Sequence, residues 1–436
     1  MLETQEKLES SVSEAAPARR ETSRTRFVLL LLAIAAIAFN RAYIPNIRYD
    51  WLNLLPLLAT LYVGYALVAL DKTCGHIGYV ARCISDDSKR RRPFGSFLFS
   101  PWFRSMLLLP VLLLAAEFGL RCISYDRALM YERHGDLLYT PIPNQEYMEK
   151  ISLTHSRTND YGLRGGPFNA SGKQVILCLG DSVTYGYGVD DGHTYPAELQ
   201  KALDRDFPDR FIVLNGGVDG YPIPFIRQKF LYLWNQGIHP DVVIVGYSFN
   251  EGGLGHLVDS DAKTKDQFAS RVQLKNRVRS IALYNLVVEN WARASYNRMK
   301  KYMVPGTNSR TLSQEDVQSR YQKSLQGLYD DLTTRHVKPV FLLFSGYDAR
   351  TGQYDTKGPF QVRFGEFAER RGLPLLRSGQ ALSDGQSPTA DIQKYFQDQC
   401  HMNERGTQKF GQGLAGFLST LSPNPNPVIS KTQGPL

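Results

Sequence analysis

The sequence predicts an α/β fold, a parallel sheet covered by helices on both faces, carried behind an N-terminal membrane anchor. Three observations predict it. From Val175 onward, short β-prone apolar runs alternate with segments of helical periodicity, and that alternation builds parallel sheets. Polar residues that packing does not need stand where the runs end, at Asp181-Ser182, Asn215–Gly217 and Ser248–Glu251, and such sheets bind ligands at their carboxyl edge. Apolar stretches before residue 125 predict the anchor.

The anchor comes first. Residues 1–26 are a basic arm with Arg19, Arg20, Arg24 and Arg26. Phe27–Phe39 is uncharged but spans a bilayer only if it runs on to about Ile44. Trp51–Leu70 carries no charge and has bilayer length. The third stretch, Pro101–Ile123, has an uncharged centre at Ser105–Ala116, with Arg104, Glu117 and Arg121 toward its ends. Residues 27–125 are therefore expected to hold about three transmembrane helices. Other readings are buried helices of a soluble domain, or a cleaved signal core at Phe27–Ala38. Lys72, Arg82, Lys89, Arg90, Arg91 and Arg92 lie between the second and third stretches, against Arg41 and Arg48 between the first two. The positive-inside rule then places the N-terminus in the cytoplasm and everything after about Ser124 outside it. Losing the third span would reverse that orientation.

Composition agrees with this division. Of 436 residues, 43% are hydrophobic and 21% charged, which excludes a disordered chain. The formal charge of +9 gathers beside the apolar stretches, which fits a lipid bilayer and not nucleic acid. Five cysteines exclude a disulfide-dense scaffold. Cys74 and Cys83 flank His76 without a second ligand pair, so they read as ordinary thiols.

Residues 126–421 read as the α/β domain. Val175–Leu179 predicts the first strand and Tyr195–Phe207 a helix on the spacing Leu199, Leu203, Phe207. Phe211–Leu214 predicts a second strand. Pro224–Asn235 predicts a helix with proline in its first turn, where a missing N–H is harmless. Asp241–Tyr247 is a third strand, Val317–His336 a long amphipathic helix and Val337–Phe344 a fourth strand. Phe360–Arg371 reads as helical, Pro374–Leu376 as a short fifth strand and Gly406–Leu421 as a closing helix. Gly252–Gly306 reads as an irregular insertion near the site, and residues 422–436 as a disordered tail.

The chemistry-bearing residues stand at the strand ends. Gly180-Asp181-Ser182-Val183-Thr184-Tyr185-Gly186 puts a serine just past a strand, where free N–H groups suit a developing oxyanion. Taken alone, it is as readily a capped turn. Asp398-Gln399-Cys400-His401 lets a carboxylate and an imidazole point into one pocket from a single turn, or start a helix at the surface. A serine hydroxyl needs such a base, and the base needs an orienting carboxylate. Gly217 and Asn250 follow the second and third strands and can donate to the same oxygen as Ser182 N–H, or serve as turn residues.

Together these segments resemble the SGNH hydrolases, or GDSL esterases, over about Asn159 to Leu421. The family's blocks correspond to Gly180–Gly186, Asn215–Gly220, Gly246–Glu251 and Asp398–His401, in that order. The resemblance implies a flavodoxin-like three-layer α/β/α domain and an ester hydrolase. It implies Ser182 as nucleophile, His401 as general base, Asp398 as its orienting acid, and Ser182, Gly217 and Asn250 as the oxyanion hole. Ser248 stands where the pattern usually has Gly, and Glu251 where it usually has Asp. Asn159-Asp160-Tyr161-Gly162-Leu163-Arg164-Gly165 is similar to the lead-in of membrane-anchored members, with no chemistry attached. No metal or organic cofactor is expected. The expected substrate is an acyl ester on a glycan, a lipid or a small molecule at the extracytoplasmic face of an inner or plasma membrane. The alternatives are an O-acyltransferase acting on an envelope polysaccharide and a non-catalytic glycan-binding domain.

Overall fold

The structure, a computed structural model, describes residues 101–149, 152, 154–248, 250, 262–292, 314–347, 354–355, 358–383 and 390–421. The basic arm, the stretches Phe27–Phe39 and Trp51–Leu70, the Lys89–Arg92 cluster, Cys74, Cys83, Glu251 and the tail lie outside them. The chain divides into two units, Met1–Gly119 and Leu120–Leu436, and the second holds the α/β domain.

The third expected span is a helix, α1, Pro101–Cys122. Among the described residues, however, no helix is long and apolar enough to cross a membrane. Its uncharged centre, Ser105–Ala116, covers about 18 Å of helix, so the charged residues toward its ends would have to lie at the headgroups for the segment to cross a hydrocarbon core of about 30 Å. Val111, Leu112, Leu113, Leu114 and Phe118 are nonetheless exposed.

Two antiparallel hairpins follow, in a region where the sequence reading names no elements. β1 (Tyr131–His134) pairs with β2 (Leu138–Pro141), and β3 (Glu146–Glu149) with β4 (Thr154–Arg157).

The central sheet has five parallel strands. β5 (Gln174–Leu179), β6 (Phe211–Asn215), β7 (Val242–Tyr247) and β8 (Lys338–Leu343) match the expected strands to within a residue or two. The short pair β9 (Gly346–Tyr347) and β10 (Tyr354–Asp355) lies outside the sheet, and β11 (Leu375–Arg377) completes it. The spatial order is β11-β8-β7-β5-β6. The chain after β5 turns to one side for β6 and to the other for β7. Such a reversal leaves a crevice at the carboxyl ends, where ligands bind in open α/β sheets. The crevice lies between β5 and β7, the strands that carry Ser182 and Asn250 on their exits.

Strand residues alternate between two cores, as the two-residue period of a strand requires. Leu177, Leu179, Val243, Val245, Phe341 and Leu343 face one side. There they meet α4 (Ile223–Asn235), α6 (Gln314–Thr334) and α7 (Pro359–Arg370) through Phe230, Leu328 and Phe364. Ile176, Cys178, Ile244, Val340 and Leu342 face the other side. They meet α3 (Tyr195–Asp206), the short α8 (Ser378–Leu382) and α9 (Glu404–Thr420) through Leu199, Leu382 and Phe410. Two covered faces make the three-layer α/β/α arrangement. Local chemistry starts the helices. Thr194 caps α3 by accepting from Ala197 N at 3.3 Å, and Asn403 caps α9 by accepting from Gly406 N at 3.0 Å.

Within the insertion Gly252–Gly306, residues 262–292 depart from the irregular segment expected. They contain an 18-residue helix, α5 (Ala262–Arg279), then a short helix Ala282–Tyr284 running into a π-helix Asn285–Ala292. The inward face of α5 mixes Phe268 and Val272 with polar residues that bond to backbone. Tyr131 N donates to Asn276 Oδ1 at 3.3 Å, and Arg279 Nη1 donates to Leu129 O at 2.7 Å. A helix that docks through hydrogen bonds carries no apolar stripe, so periodicity misses it.

Candidate active site

Ser182 opens α2 (Ser182–Tyr185), a single turn directly after β5 and Gly180. The Asp181 carboxylate caps it, accepting from Val183 N at 2.9 Å. Gly186, at φ 87°, ends it in the left-handed region that glycine adopts freely. The turn is too short for a large dipole. Its contribution is therefore the placement of the serine and its N–H groups.

His401 arrives from the opposite end of the domain, on the segment before α9. An isolated bridge between Phe396 and Met402 closes this loop. His401 Nε2 lies 2.8 Å from Ser182 Oγ, and its Nδ1 lies 2.7 Å from Asp398 Oδ2. The other carboxylate oxygen, Asp398 Oδ1, accepts from Cys400 N at 2.9 Å and His401 N at 2.7 Å. Those two backbone bonds lock the carboxylate so that Oδ2 faces the imidazole. Ser182 is buried, His401 is largely covered and Asp398 is half-exposed. Burial works against a charged His401. Hydrogen bonding to Asp398 and the neighbouring Cys400 outweighs it, and holds the imidazole well above the usual histidine range. Asp398 is held below the usual carboxylate range: burial raises it, and the bonds to His401 overcome that. A base with a raised pKa, aimed at a buried hydroxyl, is equipped to take a proton from Ser182.

The three expected oxyanion donors stand just past the ends of β5, β6 and β7. Gly217 sits so close to α2 that a Cβ there would run into the Tyr185 backbone. Its N–H donates to Asn215 Oδ1 at 3.1 Å, so its single hydrogen already has a partner. Asn250 Nδ2 donates to Asp181 Oδ2 at 2.7 Å. An amide nitrogen carries two hydrogens, so this bond fixes one and orients the other. Ser248 Oγ donates to the same Asp181 oxygen. Asp181 thus ties the exit of β7 to the serine turn. Its burial pushes its carboxyl up, against the pull of the Ser248 and Val183 hydrogen bonds.

Among the described residues, two clusters hold metal-type ligand atoms within 4.8 Å of one another: Asp398, Cys400 and His401, and Asp190, His193 and Glu404. In the first, His401 and Asp398 are bonded to each other. In the second, His193 Nδ1 is 3.0 Å from Glu198 Oε1. Cys400 Sγ lies 3.5 Å from His401 Nδ1, and the Tyr187 ring lies 4.9 Å from that of His401, centroid to centroid. The sequence assigns no role to either, nor to the tie from Ser248 to Asp181. The departure from glycine at position 248 is the local signal for that tie, and Tyr187 carries none.

The model of the GDSL-like Lipase/Acylhydrolase family matches residues 178–409. No curated protein matches. Among solved structures, the psychrotrophic esterase EstA from Pseudoalteromonas sp. is 14% identical with a TM-score of 0.34, covering 57% of this chain and 98% of its own. An acetyl xylan esterase, AlAXEase, is 14% identical at TM-score 0.33, covering 56% and 98%. A member of the lipolytic G-D-S-L family from Veillonella parvula DSM 2008 is 15% identical at TM-score 0.32, covering 56% and 97%.

Proposed function

The chain belongs to the GDSL-like lipase/acylhydrolase family and is an ester hydrolase, and from that premise we propose that Ser182, His401 and Asp398 are its catalytic residues. The observation that carries the assignment is the unbroken chain of contacts from Ser182 Oγ through His401 to Asp398, 2.8 Å and 2.7 Å long. Ser182 Oγ attacks the ester carbonyl while His401 Nε2 accepts its proton. Asp398 keeps the proton of His401 on Nδ1 and stabilises the imidazolium. The carbonyl oxygen becomes an oxyanion held by Ser182 N–H and the second hydrogen of Asn250. Gly217 N–H joins them by sharing its hydrogen between Asn215 Oδ1 and the oxyanion. His401 returns the proton to the departing alcohol. Water then attacks the acyl-serine with His401 again as base, and Ser182 is restored.

In this reading the enzyme is membrane-anchored. Phe27–Phe39, Trp51–Leu70 and the apolar centre of α1 hold it to the bilayer, and the basic flanks keep the N-terminus in the cytoplasm. With α1 crossing as the third span, its end charges at the headgroups, the catalytic domain works on the extracytoplasmic side, on an acyl group borne by a glycan, a lipid or a small ester; with two spans alone it would face the cytoplasm.

The test uses the full chain in detergent. It should hydrolyse p-nitrophenyl acetate and take a fluorophosphonate adduct on Ser182, and Ser182→Ala should abolish both. Equal rates for wild type and Ser182→Ala would refute the assignment. A soluble glycan that captures the acyl group faster than water would turn the reading toward a transferase. An alkaline phosphatase fused at the C-terminus should be active, and an inactive fusion would refute the exported domain.

A further inference from the structure

Arg164 lies in the lead-in Asn159–Gly165, the motif to which the reaction assigns no part. Its side chain is 1% exposed and lies directly beneath the serine turn. Nη1 donates to Tyr185 O at 3.0 Å and Gly186 O at 2.6 Å. Nη2 donates to Val189 O at 2.5 Å and Ser156 Oγ at 3.1 Å, and Nε to Asp191 Oδ1 at 2.9 Å. The guanidinium plane also lies over the Tyr185 ring, 4.6 Å from its centroid. All its nitrogens are thus engaged, and three of the acceptors are main-chain carbonyls from the segment that follows Ser182.

That segment touches the nucleophile and the His401 loop. Gly186 N and Tyr187 N both donate to Ser182 O at 3.0 Å, so it holds the nucleophile's own carbonyl. Tyr187 lays its ring against His401, and its carbonyl accepts from Gln397 Nε2, one residue before Asp398. The main chain of Arg164 reaches the Asn215 block, its N–H donating to Asn215 O at 3.1 Å. The Asn215 side chain in turn bonds Tyr185 O at 3.2 Å and receives Gly217 N–H.

We propose that Arg164 is the positioning residue of this site: its guanidinium gathers the carbonyls of residues 185, 186 and 189 and so sets Ser182 in register with the His401 loop and with Gly217. The proposal rests on Ser182 being the nucleophile. It follows from the geometry of the donor fork. A guanidinium presents five N–H groups in a fixed plane, and a lysine ammonium presents three on a flexible stem. Lysine at 164 would keep the positive charge facing Asp191 and Glu149 and could not hold all three carbonyls at once. A role limited to charge pairing would survive that exchange, and a positioning role would not.

The experiment compares the full-length wild type with Arg164→Lys and Asp191→Asn, measuring the rate of fluorophosphonate labelling at Ser182, kcat, KM and the thermal midpoint. Arg164→Lys should lose roughly 10²-fold in labelling rate and kcat, the scale of an ångström's misplacement, with KM nearly unchanged. Asp191→Asn removes an ionic partner and leaves the carbonyl contacts. Its midpoint should fall while labelling stays within about threefold of wild type. Arg164→Lys labelling as fast as wild type would overturn the proposal. So would losses in the two variants that simply follow their midpoints. If Arg164→Lys does not fold, Gln397→Ala cuts the same relay at the half-buried His401 loop. It should lower kcat about tenfold at constant KM, and wild-type kcat there would overturn the relay. A wild type that takes no adduct on Ser182 would instead overturn the esterase assignment.

Discussion

Replacing Asp398 by asparagine changes one contact and little else. Oδ1 accepts the backbone N–H groups of Cys400 and His401, and an asparagine carbonyl can keep both, so the loop stays folded. Only the 2.7 Å contact to His401 Nδ1 is altered. The asparagine NH₂ donates there, which forces the imidazole proton onto Nε2. Nε2 is the atom 2.8 Å from Ser182 Oγ, and with a proton on it the imidazole cannot accept another. Loss of the correct tautomer should cost roughly 10³–10⁴ in kcat/KM, about 4–5.5 kcal/mol of barrier. The pH profile moves as well. Burial opposes a charged His401, and the aspartate bond is the chief force that raises it. Activity requires the neutral imidazole, so the wild-type acid limb should fall above pH of about 6.5, the ordinary histidine value. In Asp398→Asn it should fall at lower pH. The stability of the pair has a window. The lowered Asp398 contributes above the ordinary carboxylate pKa, and its contribution fades as pH falls through its folded value. The raised His401 contributes below its ordinary value, and its contribution fades as pH rises through its folded value. The difference in thermal midpoint between wild type and variant should therefore peak between about pH 4 and 6.5. The assay is p-nitrophenyl acetate hydrolysis from pH 5 to 9 with melts at each pH. An activity within tenfold of wild type with an unmoved acid limb would refute the reasoning.

Two further variants probe the scaffold. Gly217→Ala puts a Cβ into the Tyr185 backbone; it should cost about 1–3 kcal/mol of stability by overpacking and roughly 10²-fold or more in kcat by displacing an oxyanion donor, and wild-type kinetics would show that the loop yields without consequence. Lys229 is buried, with Nζ donating to Thr140 Oγ1 at 2.7 Å, and burial pulls its ammonium down to about 7 despite the nearby Glu132. The unfolded chain binds that proton more tightly, so the cost of Lys229 to folding is greatest below pH 7 and fades as pH rises toward its unfolded value. Lys229→Met should raise the thermal midpoint more at pH 6 than at pH 9.5, and equal shifts would disprove the buried titration.

What the sequence determines here is what local chemistry determines. Strand β5 is visible in Val175–Leu179 because a strand buried on both faces is apolar along its length. Helix α3 is visible because its apolar residues recur at helical spacing. Ser182, Asp398 and His401 stand out because a capped turn and an Asp-x-x-His turn are made by neighbours in the chain. The rest depends on residues that meet only after folding. Nothing before Val175 shows that the Arg164 side chain will fill the space beneath a turn some twenty residues later, and no periodicity reveals a helix such as α5 that docks through Asn276 and Arg279. Ser248 reads as a departure from a pattern until the sheet order sets β7 beside β5 and brings its hydroxyl to Asp181. The approach of His401 to Ser182 across 219 positions is likewise a property of the sheet order and of the loop before α9. A chain encodes backbone preference and apolar spacing residue by residue. Which polar groups share a bond is decided only by where the packed layers put them.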